Sequence, residues 1–270
     1  MSTITATIPA ADIERRSAVV AAVRDASAVA QRNLIAYRRV PQLLVFSTIQ
    51  PVVFVLMFRY VFGGAISVPG FSYVDFLMPG IFIQTVVFGA MGTAVGLATD
   101  VKSGLLERFR ALPMARSAVL AGRTLADLCR NVFVVLLMTA IGFAVGFRVH
   151  TGPLGLLGAL LLLLLFGYTM SWVFALLGLA VGDPETAQAA AFPVVAPLVF
   201  ASSAFVPVNT MPGWMQVFAN HQPVSITTSA ARALVLGGDT ASLVLQSIGW
   251  CAGILLVFAP LAVWRYRRAV

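Results

Sequence analysis

Long apolar stretches constrain the fold of this chain more than any other feature of its sequence. A helix that crosses a bilayer needs about 20 mostly apolar residues. Only 10% of the 270 residues are charged, against about 25% in a typical soluble domain. The sequence therefore predicts an all-α polytopic membrane protein, and it excludes a disordered chain, a coiled coil and a soluble nucleic-acid-binding protein. Six transmembrane helices are predicted, at 43–62, 76–98, 131–147, 153–181, 189–206 and 242–264.

The distribution of basic residues predicts the orientation of these helices. Fifteen of the 18 basic residues lie in residues 1–42, in the loop 99–130 and in the tail 265–270, which all fall on one side of the predicted membrane. The other side holds only Arg59, Arg148 and Arg232. By the positive-inside rule, both termini lie in the cytoplasm, and the six-helix domain, 43–264, is expected to span the plasma membrane.

The N-terminal segment, 1–42, is too polar to span a membrane, but part of it has helical periodicity. We expect residues 1–12 to be disordered. Residues 23–40 are predicted to form an amphipathic helix on the inner membrane surface, and the alternative is a flexible basic tail that only sets orientation. The apolar stripe of this helix consists of Val23, Ala26, Ala30, Leu34 and Tyr37.

The sequence lacks the residues that would let this chain supply its own energy. Its basic residues are 17 arginines and the single Lys102, which no P-loop glycines precede, so no nucleotide site of that kind is predicted. The predicted spans carry no Asp, Glu, Lys, Arg or His in their interiors, since Arg59 lies at a span end. This argues against an ion-driven carrier and against an intramembrane enzyme. No metal site is predicted, because His150 and His221 are isolated.

The loop 99–130 is the only long one on the predicted cytoplasmic side, and it contains a short amphipathic segment. Gly104 is expected to break the preceding helix and Pro113 to end the segment. Two interpretations remain open. The segment either inserts its apolar face into a groove of a partner protein or contacts anionic lipid headgroups. The apolar face consists of Leu105, Leu106, Phe109 and Leu112, and the charges around it are Glu107, Arg108 and Arg110.

The segment 207–238 lies on the predicted exterior side and is too polar to span, yet it carries aromatic residues. Thr210 is a candidate helix cap, and Pro223 is expected to separate two short helices. These are predicted to be re-entrant or interfacial helices before the last span. Arg232 and His221 are expected to face water or headgroups, and His221 is interpreted either as a substrate gate or as an ordinary interfacial residue. The pairs Gly92/Gly96 and Gly142/Gly146 predict close helix approach.

Two motifs resemble a known family. The loop motif resembles the cytoplasmic loop of type-2 ABC exporter permeases, and the exterior motif resembles the daunorubicin-resistance branch of that family. The resemblance covers about residues 30–268. The loop motif is Gly104, Glu107-Arg108, Leu112-Pro113 and Gly122-Arg123. The exterior motif is Val206-Pro207-Val208-Asn209-Thr210-Met211-Pro212-Gly213-Trp214, then Asn220-His221-Gln222-Pro223-Val224-Ser225 and Ala231-Arg232.

The resemblance implies a permease subunit that exports lipophilic or amphipathic compounds (drugs, antibiotics or lipids). ATP and Mg would bind to a separate ABC ATPase subunit, and this chain would hold no cofactor. A second permease subunit, identical or paralogous, would complete an apolar cavity in contact with membrane lipids. ATPase coupling is expected at Gly104, Leu105, Glu107, Arg108, Phe109, Arg110 and Pro113, and the outer gate at Pro207, Trp214, His221, Pro223 and Arg232. The alternatives are an ATP-independent carrier and a membrane-embedded enzyme or accessory subunit.

Overall fold

The computed structural model describes residues 23–35, 39, 42–64, 70–110 and 116–269, and all regular structure in these ranges is helical. The prediction that residues 1–12 are disordered concerns residues outside the described ranges. A π-helical turn, Phe58–Phe62, extends the second helix, and a 3-10 turn, Val208–Thr210, precedes the eighth. The helices are α1 (23–35), α2 (Gln42–Met57), α3 (Tyr73–Lys102), α4 (Leu105–Arg110), α5 (Arg116–Val145), α6 (Pro153–Val181), α7 (Pro184–Phe200), α8 (Gly213–His221), α9 (Pro223–Leu236) and α10 (Thr240–Ala269).

Four of the described helices, α3, α5, α6 and α10, are long and apolar enough to cross a membrane. They contain the second, fourth and sixth predicted spans and all but the last two residues of the third. The first predicted span corresponds to α2 with its π-helical turn, and the fifth overlaps the 17-residue α7. Both helices contain proline, which removes a backbone donor inside a helix. The prediction of an all-helical membrane protein is confirmed, while the count of six spans remains a prediction.

Helix α3 forms the centre of the bundle. Of the four long helices it is the most enclosed, and α10 is the most exposed. Helices α2, α5, α6, α7 and α9 all pack against α3, and phenylalanines such as Phe82 on α3 and Phe166 on α6 fill the space between them. Close approach depends on glycine: a β-carbon at Gly178 of α6 would collide with the backbone of Ala94 on α3.

The bundle has two ends, which we name after the short helices found there. At the α4 end lie α1, α4, the last turn of α3 and the α6–α7 turn, and at the α9 end lie α8, α9 and the first turn of α3. At the α4 end, the ammonium group of Lys102 lies 2.6 Å from the carboxylate of Asp183. Asp183 also caps α7, because its carboxylate accepts a 3.0 Å hydrogen bond from the Thr186 amide.

The connection between α3 and α5 is much shorter than the predicted loop. Helix α3 continues to Lys102 and α5 begins at Arg116, so that most of residues 99–130 are helical. The sequence prediction read the charged residues of this region as a loop, because charges are rare in the interior of a span. The consequence is that Arg123, Asp127 and Arg130 belong to the helix bundle.

Candidate functional site

Helix α4 follows a sharp break at the end of α3. Gly104 has a positive φ of 67°, a conformation that glycine adopts without steric cost, and the predicted break at this residue is confirmed. Leu106 is buried and packs into a cluster of α3, α5, α6 and α10 that includes Leu97, Leu120 and Trp172. At least one residue of the predicted apolar face is therefore turned toward the chain's own bundle.

The residues of the predicted coupling segment that flank the buried Leu106 differ in their exposure. Leu105 is half-buried, whereas Glu107 and Arg108 are exposed to the surroundings. Phe109 and Arg110 are the last two residues of α4. Pro113 lies outside the described residues. The segment thus presents two adjacent, oppositely charged side chains at the α4 end.

Helix α1 packs against the first half of α5 at Gly122. A β-carbon at Gly122 would lie 2.7 Å from the Val29 β-carbon and would collide with the carbonyl oxygen of Ala26. Val29, Ala30 and Asn33 are buried. The predicted helix is confirmed for residues 23–35, but its buried face differs from the predicted stripe, because Val23 and Leu34 are exposed. Tyr37 lies outside the described residues.

An ion-pair network joins α1, α3 and α5 next to this contact. The Arg123 guanidinium lies 3.5 Å from the Asp100 carboxylate and 3.8 Å from that of Asp127. Arg32 of α1 lies 3.5 Å from Asp100, and Arg123 donates a 3.4 Å hydrogen bond to Asn33. Charges removed from water are tolerated where they are paired and hydrogen-bonded. Two arginines and two aspartates therefore compensate one another at the α4 end.

The glycines on one face of α3 make room for arginine side chains. A β-carbon at Gly89 would lie 2.8 Å from an Arg130 terminal nitrogen, and one at Gly92 would lie 3.1 Å from the other. A β-carbon at Gly96 would overlap the Arg123 guanidinium. Arg130 donates a 2.6 Å hydrogen bond to the carbonyl oxygen of Gly89. The Gly92/Gly96 pair was predicted to bring helices together; its described neighbours are guanidinium groups instead.

A cavity of about 700 Å³ lies between α2, α3, α5 and α7, directly beside these arginines. The predicted apolar cavity lay between two permease subunits, whereas this cavity lies within one chain and is lined in part by charged side chains. The sequence analysis did not predict it, because the third span was predicted to start at residue 131 and the charges before it were assigned to a loop. The cavity's apolar lining includes Phe88 and Phe192, and its charged and amide-bearing lining residues are Gln50, Gln84, Arg123, Arg130, Asn131 and Gln188.

A sequence signal for this polar lining existed. Residues 123, 127, 130 and 131 are spaced by four, seven and eight positions from the first, a spacing that places them on one face of a helix. Two of the lining amide side chains carry a buried atom without a hydrogen-bond partner in the described part of the chain. They are the Gln84 side-chain oxygen and the Asn131 side-chain nitrogen, and both residues are 2% exposed.

At the α9 end, Arg232 holds several backbone segments together. Its guanidinium donates hydrogen bonds to the carbonyl oxygens of Phe76 at 2.8 Å, Ser203 at 2.6 Å and Ala204 at 2.9 Å. It also lies 3.6 Å from the centre of the Phe76 ring, within cation–π distance. The expectation that Arg232 faces water or headgroups is wrong, because three carbonyl groups orient the guanidinium into the protein.

The other residues predicted at the outer gate lie around α8. Pro207 precedes the 3-10 turn and accepts a hydrogen bond from Thr210, which therefore does not cap α8. Trp214 is exposed, and the exposed His221 ring bonds to the Val217 carbonyl oxygen of its own helix. Pro223 begins α9. The described lining of the cavity contains none of the predicted gate residues.

The long apolar helices and the order of the motifs agree with the result of comparison with known families. Residues 24–236 match the family model described as ABC-2 type transporter. The chain belongs to this family. It is 38% identical over 239 residues to the daunorubicin resistance ABC transporter permease protein DrrB1 of Streptomyces coeruleorubidus, covering 88% of this chain and 84% of the relative.

Other relatives carry related names. The probable doxorubicin resistance ABC transporter permease protein DrrC of Mycobacterium tuberculosis is 31% identical over 221 residues, which cover 81% of this chain and 79% of the relative. The putative transport permease ycf38 of Pyropia yezoensis is 28% identical over 219 residues, which cover 78% of this chain and 74% of the relative. The resemblance to type-2 ABC exporter permeases of the daunorubicin-resistance branch is thereby confirmed.

Proposed function

We propose that this chain is the transmembrane permease subunit of an ATP-driven exporter that moves lipophilic or amphipathic compounds out across the plasma membrane. Membership of the ABC-2 type transporter family and the names of the relatives, which refer to daunorubicin and doxorubicin resistance, support this function. The chain would hold no cofactor, and ATP and Mg would be bound by a separate ABC ATPase subunit. Both termini and the α4 end face the cytoplasm in this proposal, in agreement with the distribution of arginines.

The packing of α4 is the observation that carries the coupling role. Glu107 and Arg108 are exposed for contact with an ATPase subunit, while Leu106 is anchored among side chains of α3, α5, α6 and α10. Because protein interiors are close-packed, a displacement of α4 is transmitted to the helices that enclose Leu106. Movement of the ATPase on binding ATP would in this way reach α3 and α5, which line the cavity.

The remaining parts of the proposal concern topology and assembly. Helices α2 and α7 would complete six spans, and α8 and α9 would form re-entrant or interfacial helices at the outer mouth. A second permease subunit, identical or paralogous, would pair with this one, since the family assembles around dimeric permeases. The exposed apolar side chains on α10, such as Leu256 and Trp264, would contact membrane lipids.

Co-purification with an ATPase tests the proposal. The chain is expressed together with the ABC ATPase of a neighbouring reading frame, and the complex is reconstituted into vesicles. We expect co-purification, ATP hydrolysis stimulated by the permease, and ATP-dependent transport of daunorubicin, the compound in the names of the relatives. An ATP-independent carrier would transport without hydrolysis, and an accessory or enzyme subunit would show no stimulation.

The coupling segment is tested in the same system with the double variant Glu107→Ala, Arg108→Ala. We expect this variant to fold normally, since both side chains are exposed, and to lose ATPase association or stimulation. The matched control is Arg59→Ala, which removes an exposed arginine from the π-helical turn after α2. If the double variant associates and transports as the control does, these two residues are not the coupling contact.

A further inference from the structure

The C-terminal end of α10 carries a basic surface at the α4 end of the bundle, where Tyr266 packs in the same cluster as Leu106 of α4. The side chains of Arg267 and Arg268 are exposed, and α10 contains no aspartate or glutamate. The ion pairs found among the described residues all involve other basic side chains. The guanidinium groups of Arg267 and Arg268 are therefore available to an anion from outside the chain.

A groove of about 440 Å³ lies on α10 directly before these arginines. Its lining is apolar except at one end, where a guanidinium group lies. The lining residues are Ala259, Pro260, Val263, Trp264 and Arg267. Residues three, four or seven positions apart share one face of a helix, so the groove follows the helix axis. An apolar groove that ends at a cation suits an apolar chain attached to an anionic group.

Trp264 joins the groove to the second arginine. The Arg268 guanidinium lies 4.1 Å from the centre of the Trp264 ring, within cation–π distance. Although it makes this contact, Trp264 remains 48% exposed. Tryptophan is enriched at the level of lipid headgroups, because its ring is apolar and its N–H group is polar. The contact therefore holds both guanidinium groups close together at the depth where headgroups lie.

The surroundings of the groove favour a phospholipid as its occupant. Of the four helices long enough to cross a membrane, α10 is the most exposed, and Leu256, Val257 and Leu261 extend its apolar face beyond the groove. A small soluble anion would leave the apolar groove empty, and a neutral lipid would leave the guanidinium groups without a counter-charge. Basic residues that directly follow a transmembrane helix attract anionic lipid headgroups.

We propose that the C-terminal end of α10 binds an anionic phospholipid. Its phosphate accepts hydrogen bonds from Arg267 and Arg268, and Trp264 lies at the base of the headgroup. One acyl chain lies in the groove against Pro260 and Val263. The described lining of the cavity between α2, α3, α5 and α7 includes no residue of α10. The lipid is therefore a bound partner rather than cargo, and the site sets no limit on the charge of an exported compound.

Native mass spectrometry of the full chain tests the proposal. The protein, purified in a neutral detergent, is mixed with equal amounts of phosphatidylglycerol and phosphatidylcholine that carry the same acyl chains. We expect phosphatidylglycerol to be retained several-fold more often than phosphatidylcholine, and to raise the melting temperature more. Equal retention of the two lipids would overturn the proposal.

A double variant connects this preference to the two arginines. We expect Arg267→Gln, Arg268→Gln to fold normally, since both side chains are exposed, and to lose the preference for phosphatidylglycerol. The matched control is Arg24→Gln, Arg59→Gln, which removes two exposed arginines from α1 and from the π-helical turn after α2. Both double variants lower the net charge by two. If they lose the preference equally, the effect belongs to the net charge and the site assignment is wrong.

A second variant tests the groove with both arginines in place. Ala259→Phe fills the groove, and we expect it to reduce the retention of phosphatidylglycerol several-fold. Ala252→Phe changes an exposed residue of α10 outside the groove and should retain the lipid as the wild type does. Glycerol phosphate, which has no acyl chains, should displace the lipid only weakly. Equal retention by the two variants, or efficient displacement by glycerol phosphate, would contradict a lipid bound through its acyl chain.

An acidic protein surface is the alternative partner for these arginines. Loss of ATPase association in the Arg267→Gln, Arg268→Gln variant, combined with no lipid preference in the wild type, would assign the surface to a protein contact and overturn the lipid site. Because the lipid experiments contain neither ATPase nor nucleotide, their failure leaves the proposed export function standing. Failure of transport likewise leaves the lipid site standing.

Discussion

The Thr93 hydroxyl donates a 2.6 Å hydrogen bond to the Asp127 carboxylate, and both residues are fully buried between α3 and α5. The same carboxylate lies 3.8 Å from Arg123, which also faces Asp100 and Asn33. A charge in this position can be kept only with partners, because an isolated buried ion is costly. The pair therefore links α3 to α5, two of the helices that line the cavity.

We predict that Asp127→Asn destabilises the protein. The substitution keeps a hydrogen-bond acceptor for Thr93 but removes one of the two carboxylates that face Arg123, and breaking a buried pair typically costs about 3–5 kcal/mol. Thermal unfolding of the purified permease should therefore show a clearly lower melting temperature. Asp239→Asn, which changes an exposed carboxylate near the start of α10, is the matched control and should melt as the wild type does. Equal melting temperatures for the two variants would contradict the role of Asp127.

Docking of α1 on α5 predicts different effects for two glycine-to-alanine substitutions. A β-carbon at Gly122 meets the Ala26 carbonyl oxygen and the Val29 side chain, so Gly122→Ala should displace α1 and increase its cleavage by added protease. A β-carbon at Gly253 of α10 has nothing within 4 Å. Gly253→Ala should leave α1 protected and stabilise the helix by about 0.5–1 kcal/mol. Equal protection of α1 in the two variants would show that this contact does not hold the helix.

From its hydrogen bonds, we predict that the Arg232 side chain stabilises the packing at the α9 end. Arg232→Gln loses the bonds to Phe76, Ser203 and Ala204, and hydrogen bonds to charged groups contribute about 1.5–3 kcal/mol each. We expect a large fall in melting temperature and increased reactivity of a cysteine introduced as Ser203→Cys, which is buried in the wild type. Arg232→Lys should rescue only part of the stability, since an ammonium group lacks the planar fork. Full rescue by lysine would show that charge alone is sufficient.

Substitution of His221 distinguishes its two interpretations, a substrate gate and an ordinary interfacial residue. Its ring bonds to a carbonyl oxygen within its own exposed helix and does not line the described cavity. We expect His221→Gln to transport at the wild-type rate and to melt at the wild-type temperature. Normal folding combined with strongly reduced transport would establish a gating role for this residue.

The sequence correctly predicted those features of the fold that depend on neighbouring residues alone. The break at Gly104, the separation of α8 and α9 at Pro223 and the helix at residues 23–35 follow from glycine, proline and periodicity, which act within a few residues. The ends of α3 and α5 and the orientation of Arg232 were predicted wrongly, because long-range partners determine them. Nothing in the sequence near Arg123 shows that Asp100 and Asn33 lie opposite, so its charge indicated a loop. Sequence predicted the family and the helices, but not the polar cavity.

The ion pair between Lys102 and Asp183 predicts how the α6–α7 turn responds to mutation and to pH. The Lys102 ammonium, followed by the Thr186 amide and hydroxyl, lowers the pKa of Asp183 to about 2 from its usual value of 3.8. A carboxyl with a lowered pKa stabilises the folded state at every pH above its unfolded value, and this contribution is lost only as the pH falls through about 4 toward 2. Between pH 5 and 8, this pair therefore gives no pH dependence of stability.

Substitution separates the two roles of Asp183. Asparagine is also a good N-cap, so Asp183→Asn keeps the capping bond to the Thr186 amide and loses only the exposed ion pair, which contributes little at physiological salt. Asp183→Ala loses both. Melting temperatures measured at low and high salt should therefore fall in the order wild type, asparagine, alanine. The gap between wild type and asparagine should close in high salt while the gap to alanine persists, because capping is a short-range hydrogen bond. If asparagine and alanine melt together, the ion pair rather than the cap holds α7 to the end of α3.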